Sequence, residues 1–300
     1  MNKLSNPQRA KILRLLCEGM SLRSISRAED VTLNTVLRLV VTAGRACWAY
    51  HDEHVRGVKA KRVQCDEVWS YIGCKAKNAS KSSRAGDPTI GDCWTWTAIE
   101  AESKLLISYM VGGRDSEYAM MLMDDLRGRI ANRIQLTTDG HTPYLSAVEE
   151  SFGADIDYSM LIKLYGEPPH SPEAARRYSP SECVGTRKGK ITGNPDPKHV
   201  STSYVERQNL TMRMSIRRFT RLTNAYSKKI ENHSYAVDLH VMYYNFVRQH
   251  ASLNKWTPAM AAGLSDHIWD MGEIVALIEA REETVSRKRG AYGPRQPKVI

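Results

Sequence analysis

The sequence predicts an α/β chain in which a mixed sheet is flanked by helices and preceded by a small all-α segment. Three observations predict it. Residues 1–45 carry helix caps and short apolar stripes, residues 62–113 change to runs rich in Val, Ile, Thr, Trp and Tyr, and from Ser116 onward helical periods alternate with strand-like runs. At 300 residues the chain has room for a large central unit of roughly 150 to 200 residues with smaller appendages. The expected division is 1–58, 59–264 with a long basic loop at 166–202, and a charged C-terminal tail at 265–300.

Asn6 can cap a helix opened by Pro7, with Ile12, Leu15 and Leu16 on one face and Gly19 as its stop. Ser21 caps a second helix (Leu22, Ile25, Ala28), and Thr32 a third that carries Val36, Leu37, Val40 and Val41. This is helix-turn-helix spacing, in which the start of the last helix enters the major groove of DNA; Thr32, Asn34, Thr35 and Arg38 would then face bases and phosphates. A plain three-helix bundle has the same pattern.

Three successive strands are expected at 62–73, 93–103 and 104–113. A helix follows at Ser116–Arg129, with Ser116 as its cap and Ala119, Leu122, Met123 and Leu126 on one face. Next come a strand at 133–140, a helix after Pro143 and a strand at Asp157–Tyr165. Residues 166–202 hold six of the twelve prolines and the run RKGK, and read as a loop. Beyond it Val205, Met212, Ile216 and Phe219 share one helical face, with Glu206, Arg213 and Arg217 on its neighbour. Helices at Ser234–His250 and Pro258–Leu264 close the series. Strands, helix, strand and later helices in this order are those of a ribonuclease-H-like domain.

The formal charge of +10 favours a polyanionic partner, a property shared with ribosomal, membrane-surface and merely soluble basic proteins. Its distribution says more. Arg187, Lys188, Lys190, Lys198, Arg207, Arg213, Arg217, Arg218, Arg221, Lys228 and Lys229 face only Asp196 and Glu206 in the same stretch, which suits a DNA backbone track. The cysteines are scattered without a C-x-x-C pair or histidines at zinc-ligand spacing, so reduced thiols and no zinc are expected. No apolar run is long enough to cross a bilayer, and the start of the chain lacks a signal-peptide core; the expectation is a cytoplasmic, nucleoid-associated protein.

Three acids fall at telling places. Asp66 lies among Val63, Cys65, Val68 and Trp69, where a carboxylate is costly unless paired or metal-bound, although an edge-strand acid facing water reads the same. Asp139 closes the fourth strand before Gly140, either as a site residue or as an Asp-Gly turn. Glu206 sits near a helix start, where the macrodipole alone favours it. Together they would form a hard-oxygen site for Mg²⁺, with Mn²⁺ able to substitute. His141 could meet a phosphate or be a surface turn residue, and Trp69, Trp94 and Trp96 could stack on bases or be core.

The run Cys65-Asp66-Glu67-Val68-Trp69-Ser70-Tyr71-Ile72-Gly73-Cys74-Lys75 resembles the first acidic motif of the insertion-sequence-one family of DDE transposases. Thr138-Asp139-Gly140-His141-Thr142-Pro143-Tyr144 resembles the second. Tyr204-Val205-Glu206-Arg207-Gln208-Asn209-Leu210, followed by Tyr244-Asn245-Phe246-Val247-Arg248-Gln249-His250, resembles the third and its sequel. The likeness spans about residues 60–262. It implies that Asp66, Asp139 and Glu206 are a metal-binding catalytic triad, that Arg207 and Asn209 support the site or the DNA, and that the partners are double-stranded terminal repeats and target DNA. It also implies at least a dimer on DNA. Two departures stand: no zinc ribbon precedes the helices, and His141 replaces a bulky aromatic residue. A nuclease of the same fold, or a DNA-binding regulator with an inactive domain, are the alternatives.

Overall fold

In the run Arg62–Ile72 (β1), Val63, Cys65 and Glu67 alternate with Gln64, Asp66 and Val68, and the strand period of two sends the two sets to opposite faces. Both faces are covered. Val63 and Cys65 enter the larger apolar core, Val68 the smaller one. The computed structural model describes residues 4–166, 183–220 and 223–288; the sequence-predicted loop residues 167–182, Arg221 and the end of the predicted tail lie outside them.

Five further strands, β2 (Gly91–Glu100), β3 (Leu106–Gly112), β4 (Gln135–Thr138), β5 (Asp157–Tyr165) and β6 (Cys183–Thr192), complete a six-stranded sheet of order β3-β2-β1-β4-β5-β6. Strands β1, β4 and β5 are parallel, and the β1–β2, β2–β3 and β5–β6 pairs are antiparallel, so the sheet is mixed. Helices α5 (Ser116–Arg129) and α6 (Pro143–Phe152) share the larger core with Cys65 and Trp96. On the other face α7 (Ser203–Ser215) and α8 (Ile230–Met242) bring Val205, Met212, Val237 and Val241 against Val68, Ile99 and Leu106.

The N-terminal helices are α1 (Asn6–Cys17), α2 (Leu22–Ala28) and α3 (Leu33–His54). Ser21 accepts from Ser24 N and Thr32 from Thr35 N, the caps the sequence predicts. Ser5 stands at the first cap position instead of Asn6, whose amide reaches Glu279 Oε2 at 3.1 Å. Helix α3 is long: its 22 residues run past the predicted Val41 into the body of the chain, and Leu39, Ala43, Ala46 and Cys47 are buried in the larger core. A Cβ on Gly44 would lie 2.4 Å from Tyr235 Cβ, so glycine is what lets α3 and α8 cross so closely. Gly44→Ala should lower stability by about 1–3 kcal/mol through overpacking. A urea midpoint equal to that of the unaltered protein would contradict the close crossing.

Several expectations are corrected. Residues 183–192, read as part of a loop, are strand β6: its exposed, glycine-containing sequence has no apolar alternation, and it is ordered by backbone pairing to β5. The segment read as a charged tail holds helix α10 (Met271–Lys288), whose Met271, Ile274, Val275 and Ile278 stripe is buried. Between Gly73 and Gly91 lies a short helix, α4 (Lys81–Gly86). Asp115, not Ser116, caps α5, accepting from the amides of Glu117 and Tyr118. Helix α7 ends at Ser215, Ile216 is extended, and Arg217–Phe219 form a 3₁₀ turn, which takes Arg217 off the helix that carries Glu206. The helix expected at Ser234–His250 starts at Ile230 and widens into a π turn at Tyr243–Val247; a short helix α9 (Pro258–Ala261) follows. Among the described residues no helix is long and apolar enough to cross a membrane.

Candidate active site

The β1–β4 ladder ends at Cys65 opposite Thr138. One residue further along these parallel strands come Asp66 and Asp139, which therefore stand side by side at the carboxyl end of β4, where the ladder opens. Asp139 is held in the turn by His141 N, which donates to its Oδ1 at 3.0 Å.

Helix α7 runs along the opposite face in step with β1. Two strand residues advance about 6.6 Å and four helical residues about 6 Å. Accordingly Gln64 Oε1 accepts from Tyr204 N (2.8 Å) and Val205 N (3.2 Å), and Asp66 Oδ2 accepts from Asn209 Nδ2 (2.8 Å). Gln64 thus satisfies two amides at the start of α7, while Asn209 fixes the rotamer of Asp66. Glu206, one turn before Asn209, receives Thr202 Oγ1 and lies 2.6 Å from Lys163 Nζ of β5.

Among the described residues, the carboxylates whose oxygens lie within 4.8 Å of one another are Asp66, Glu67 and Asp139. Glu206 stands outside this group, but its charge is among those that push up the Asp66 carboxyl. Glu67, which the sequence reading did not single out, has a side chain only 1% exposed and paired at 3.0 Å with Arg114, which also lies 3.9 Å from Asp139. A second acid next to Asp66 in an apolar strand was the available signal.

Burial is the dominant electrostatic influence. It raises the Asp66 carboxyl to about 7, and the neighbouring Glu67, Asp139 and Glu206 charges add to that. Glu67 is also raised by burial, opposed by the Tyr144 hydroxyl and Arg114. An all-oxygen donor set with a surplus of buried negative charge suits a hard divalent cation such as Mg²⁺ or Mn²⁺, and no cysteine or histidine belongs to it.

The remaining sequence candidates are dispersed. Arg207 and Arg217 are exposed and Arg213 half-buried on or just after α7. Lys188 Nζ donates to Pro197 O and Lys190 Nζ to Asn194 Oδ1, both from exposed positions on β6. Thr32, Asn34 and Arg38 are exposed and Thr35 half-buried at the start of α3. His141 is half-buried with its ring against Trp96 and Tyr144, and burial with nearby Arg114 lowers its pKa. Trp96 is core, its indole donating to Gly113 O, whereas Trp94 carries the Arg114 guanidinium on its face and Trp69 lies under Lys75.

No family model matches the chain, and no curated protein matches it. Among solved structures it aligns with the cryo-EM structure of a piggyBac transposase synaptic complex with hairpin DNA at 11% identity and a TM-score of 0.37, over 100% of this chain and 74% of that one. A likeness that distant establishes neither a fold nor an activity.

Proposed function

We propose that the chain is a DNA transposase of the DDE class with a ribonuclease-H-like catalytic domain, in which Asp66, Asp139 and Glu206 form the catalytic triad. The observation that carries the reading is the parallel register that sets Asp66 beside Asp139 at a strand end, with the Glu206 helix packed over the same strand. The sequence motifs around these three acids support it independently.

Asp66 and Asp139 would hold Mg²⁺, with Glu206 completing the set and Glu67 behind it. A divalent cation in such a site contributes Lewis-acid stabilisation of a phosphodiester and a lowered pKa of water. The protein's own groups do the rest. Asn209 orients Asp66, Arg114 balances Glu67 and Asp139, and exposed Arg207, Lys188 and Lys190 offer positive charge to the DNA backbone. The reaction is hydrolysis of a phosphodiester at each transposon end, freeing a 3′-hydroxyl that then attacks target DNA, without a covalent enzyme intermediate. Two ends must meet, so a dimer or higher assembly on DNA belongs to the reading.

The test is strand transfer on labelled terminal-repeat DNA by the unaltered protein, Asp139→Asn and Glu206→Gln, with Mg²⁺ and with EDTA. Joined product only from the unaltered protein with Mg²⁺ is expected. Cleavage without joining would make it a nuclease, and binding indifferent to metal without cleavage a regulator.

In the same reading the exposed start of α3 belongs to a helix-turn-helix that recognises the terminal repeats. Asn34→Ala and Arg38→Ala should each weaken specific binding by about tenfold, within the 1–3 kcal/mol of a base contact, and leave non-specific binding nearly unchanged. Equal losses on both DNAs, read by fluorescence anisotropy, would move recognition elsewhere.

A further inference from the structure

Strand β5 outlasts its partner. It pairs with β4 only from Asp157 to Met160; from Leu161 to Tyr165 its only ladder is with β6, Leu161 opposite Lys188, Ile162 opposite Arg187 and Lys163 opposite Thr186. A two-stranded ribbon therefore projects past the carboxyl end of β4, beside Asp139. Its paired residues include Lys163, Arg187 and Lys188 and no acid, and most of β6 is exposed.

Lys163 stands where this ribbon leaves the sheet. Its ammonium is 2.6 Å from Glu206 Oε1, and Asp66 also acts on its charge. Glu206 is the acid outside the Asp66–Glu67–Asp139 group. The same side chain that binds Glu206 is one-third exposed, and the strand paired beside it carries Arg187 and Lys188.

We propose that Lys163 is a substrate-responsive latch: in the free chain its ammonium holds Glu206 apart from Asp66, Glu67 and Asp139, and a phosphate of DNA lying along the β5–β6 ribbon takes the ammonium and releases Glu206 to the cluster. This rests on the carboxylate-site reading above. The physical basis is competition for one cation. A lysine is a compact charge on a flexible stem, so it can exchange a carboxylate for a phosphate without backbone movement. The partly exposed pair is weak enough to exchange, and several basic groups on one ribbon favour a polyanion by counterion release. The latch would couple assembly of the acidic site to the presence of DNA.

The experiment is Mn²⁺ binding to the full chain followed by electron paramagnetic resonance, with and without a short DNA duplex, for the unaltered protein, Lys163→Gln, Lys163→Arg, Lys163→Gln/Glu206→Gln and Asp66→Asn. Lys163→Gln should bind Mn²⁺ severalfold tighter without DNA, and Lys163→Arg should behave as the unaltered protein. The double variant should lose the gain, because the gain belongs to Glu206. Duplex DNA should tighten Mn²⁺ binding by the unaltered protein but scarcely by Lys163→Gln, and the salt slope of duplex binding in EDTA should fall by about one phosphate contact in Lys163→Gln. Unchanged or weaker Mn²⁺ binding by Lys163→Gln, with circular dichroism showing a native fold, overturns the latch. Mn²⁺ binding undiminished in Asp66→Asn overturns the carboxylate site itself, so the two failures are separable.

Discussion

Asp66→Asn is expected to lower metal-dependent strand transfer by at least about a thousandfold, equivalent to about 4 kcal/mol of barrier, and at the same time to stabilise the metal-free fold. The two effects have one origin. Asp66 is half-buried beside Glu67 and Asp139, and its carboxyl is raised from the usual 3.8 to about 7. The folded state therefore holds a proton that the unfolded chain has released between about pH 4 and 7, and above pH 7 the ionised fold carries a penalty of about 4 kcal/mol. Asparagine removes that penalty but keeps only one of the two acceptors now used by Asn209 and Glu67 N. The net gain at pH 8 should then be about 1–3 kcal/mol, shrinking to nothing below pH 4. Mg²⁺ should reverse the order, because it stabilises the unaltered protein by binding the folded state and finds one ligand fewer in the variant. Thermal unfolding at pH 8 with Mg²⁺ and with EDTA reads both signs. An active variant, or one less stable than the unaltered protein in EDTA, would remove Asp66 from the metal site.

What could be read from the sequence follows the range of the interactions involved. Ser21 and Thr32 were legible because a cap is a contact over three residues, and strand β1 because it is rich in Val, Trp, Tyr and Ile. Asp66 and Asp139 stood out as acids at a strand interior and a strand end, but their adjacency depends on the β1–β4 register, which links residues more than seventy positions apart. Glu67 was passed over because its partners Arg114 and Tyr144 come from other elements on the opposite face of the strand. Strand β6 had no period to detect, being ordered by backbone pairing, and the apolar stripe of α10 was overshadowed by the charged run Glu279, Arg281, Glu282 and Glu283 that follows it. Lys163 gave no signal at all: its position matters only because β5 runs on past β4.

The second large effect is expected in acid. His51, His233 and His240 are almost fully buried, which lowers them to about 4, 3 and 3, and the less buried His250 falls to about 4. A histidine whose folded value lies below its usual 6.5 is neutral in the fold while the unfolded chain takes up a proton, so its contribution to stability is intact above pH 6.5 and lost as pH falls towards 4. Asp66 and Asp238, both raised to about 7, act in the opposite direction over the same interval, since there the fold holds the extra proton. His141, lowered, and Glu67, raised, oppose each other in the same way. The histidines win by one to two protons, a slope of about 1.4–2.7 kcal/mol per pH unit between pH 6 and 4.5. Above about pH 7 the sign changes, because the histidines are by then mostly neutral in both states while ionisation of Asp66 and Asp238 costs the fold. Metal-free stability should therefore peak near pH 7, fall steeply towards pH 4.5 and fall gently towards pH 8. Asp238, bonded to Tyr109 away from the candidate site, offers the control: Asp238→Asn should flatten the alkaline limb without touching metal binding. Urea midpoints at half-unit steps from pH 4.5 to 8 give the profile, and a midpoint that rises steadily as the solution is acidified would mean that the buried histidines are not the groups that decide it.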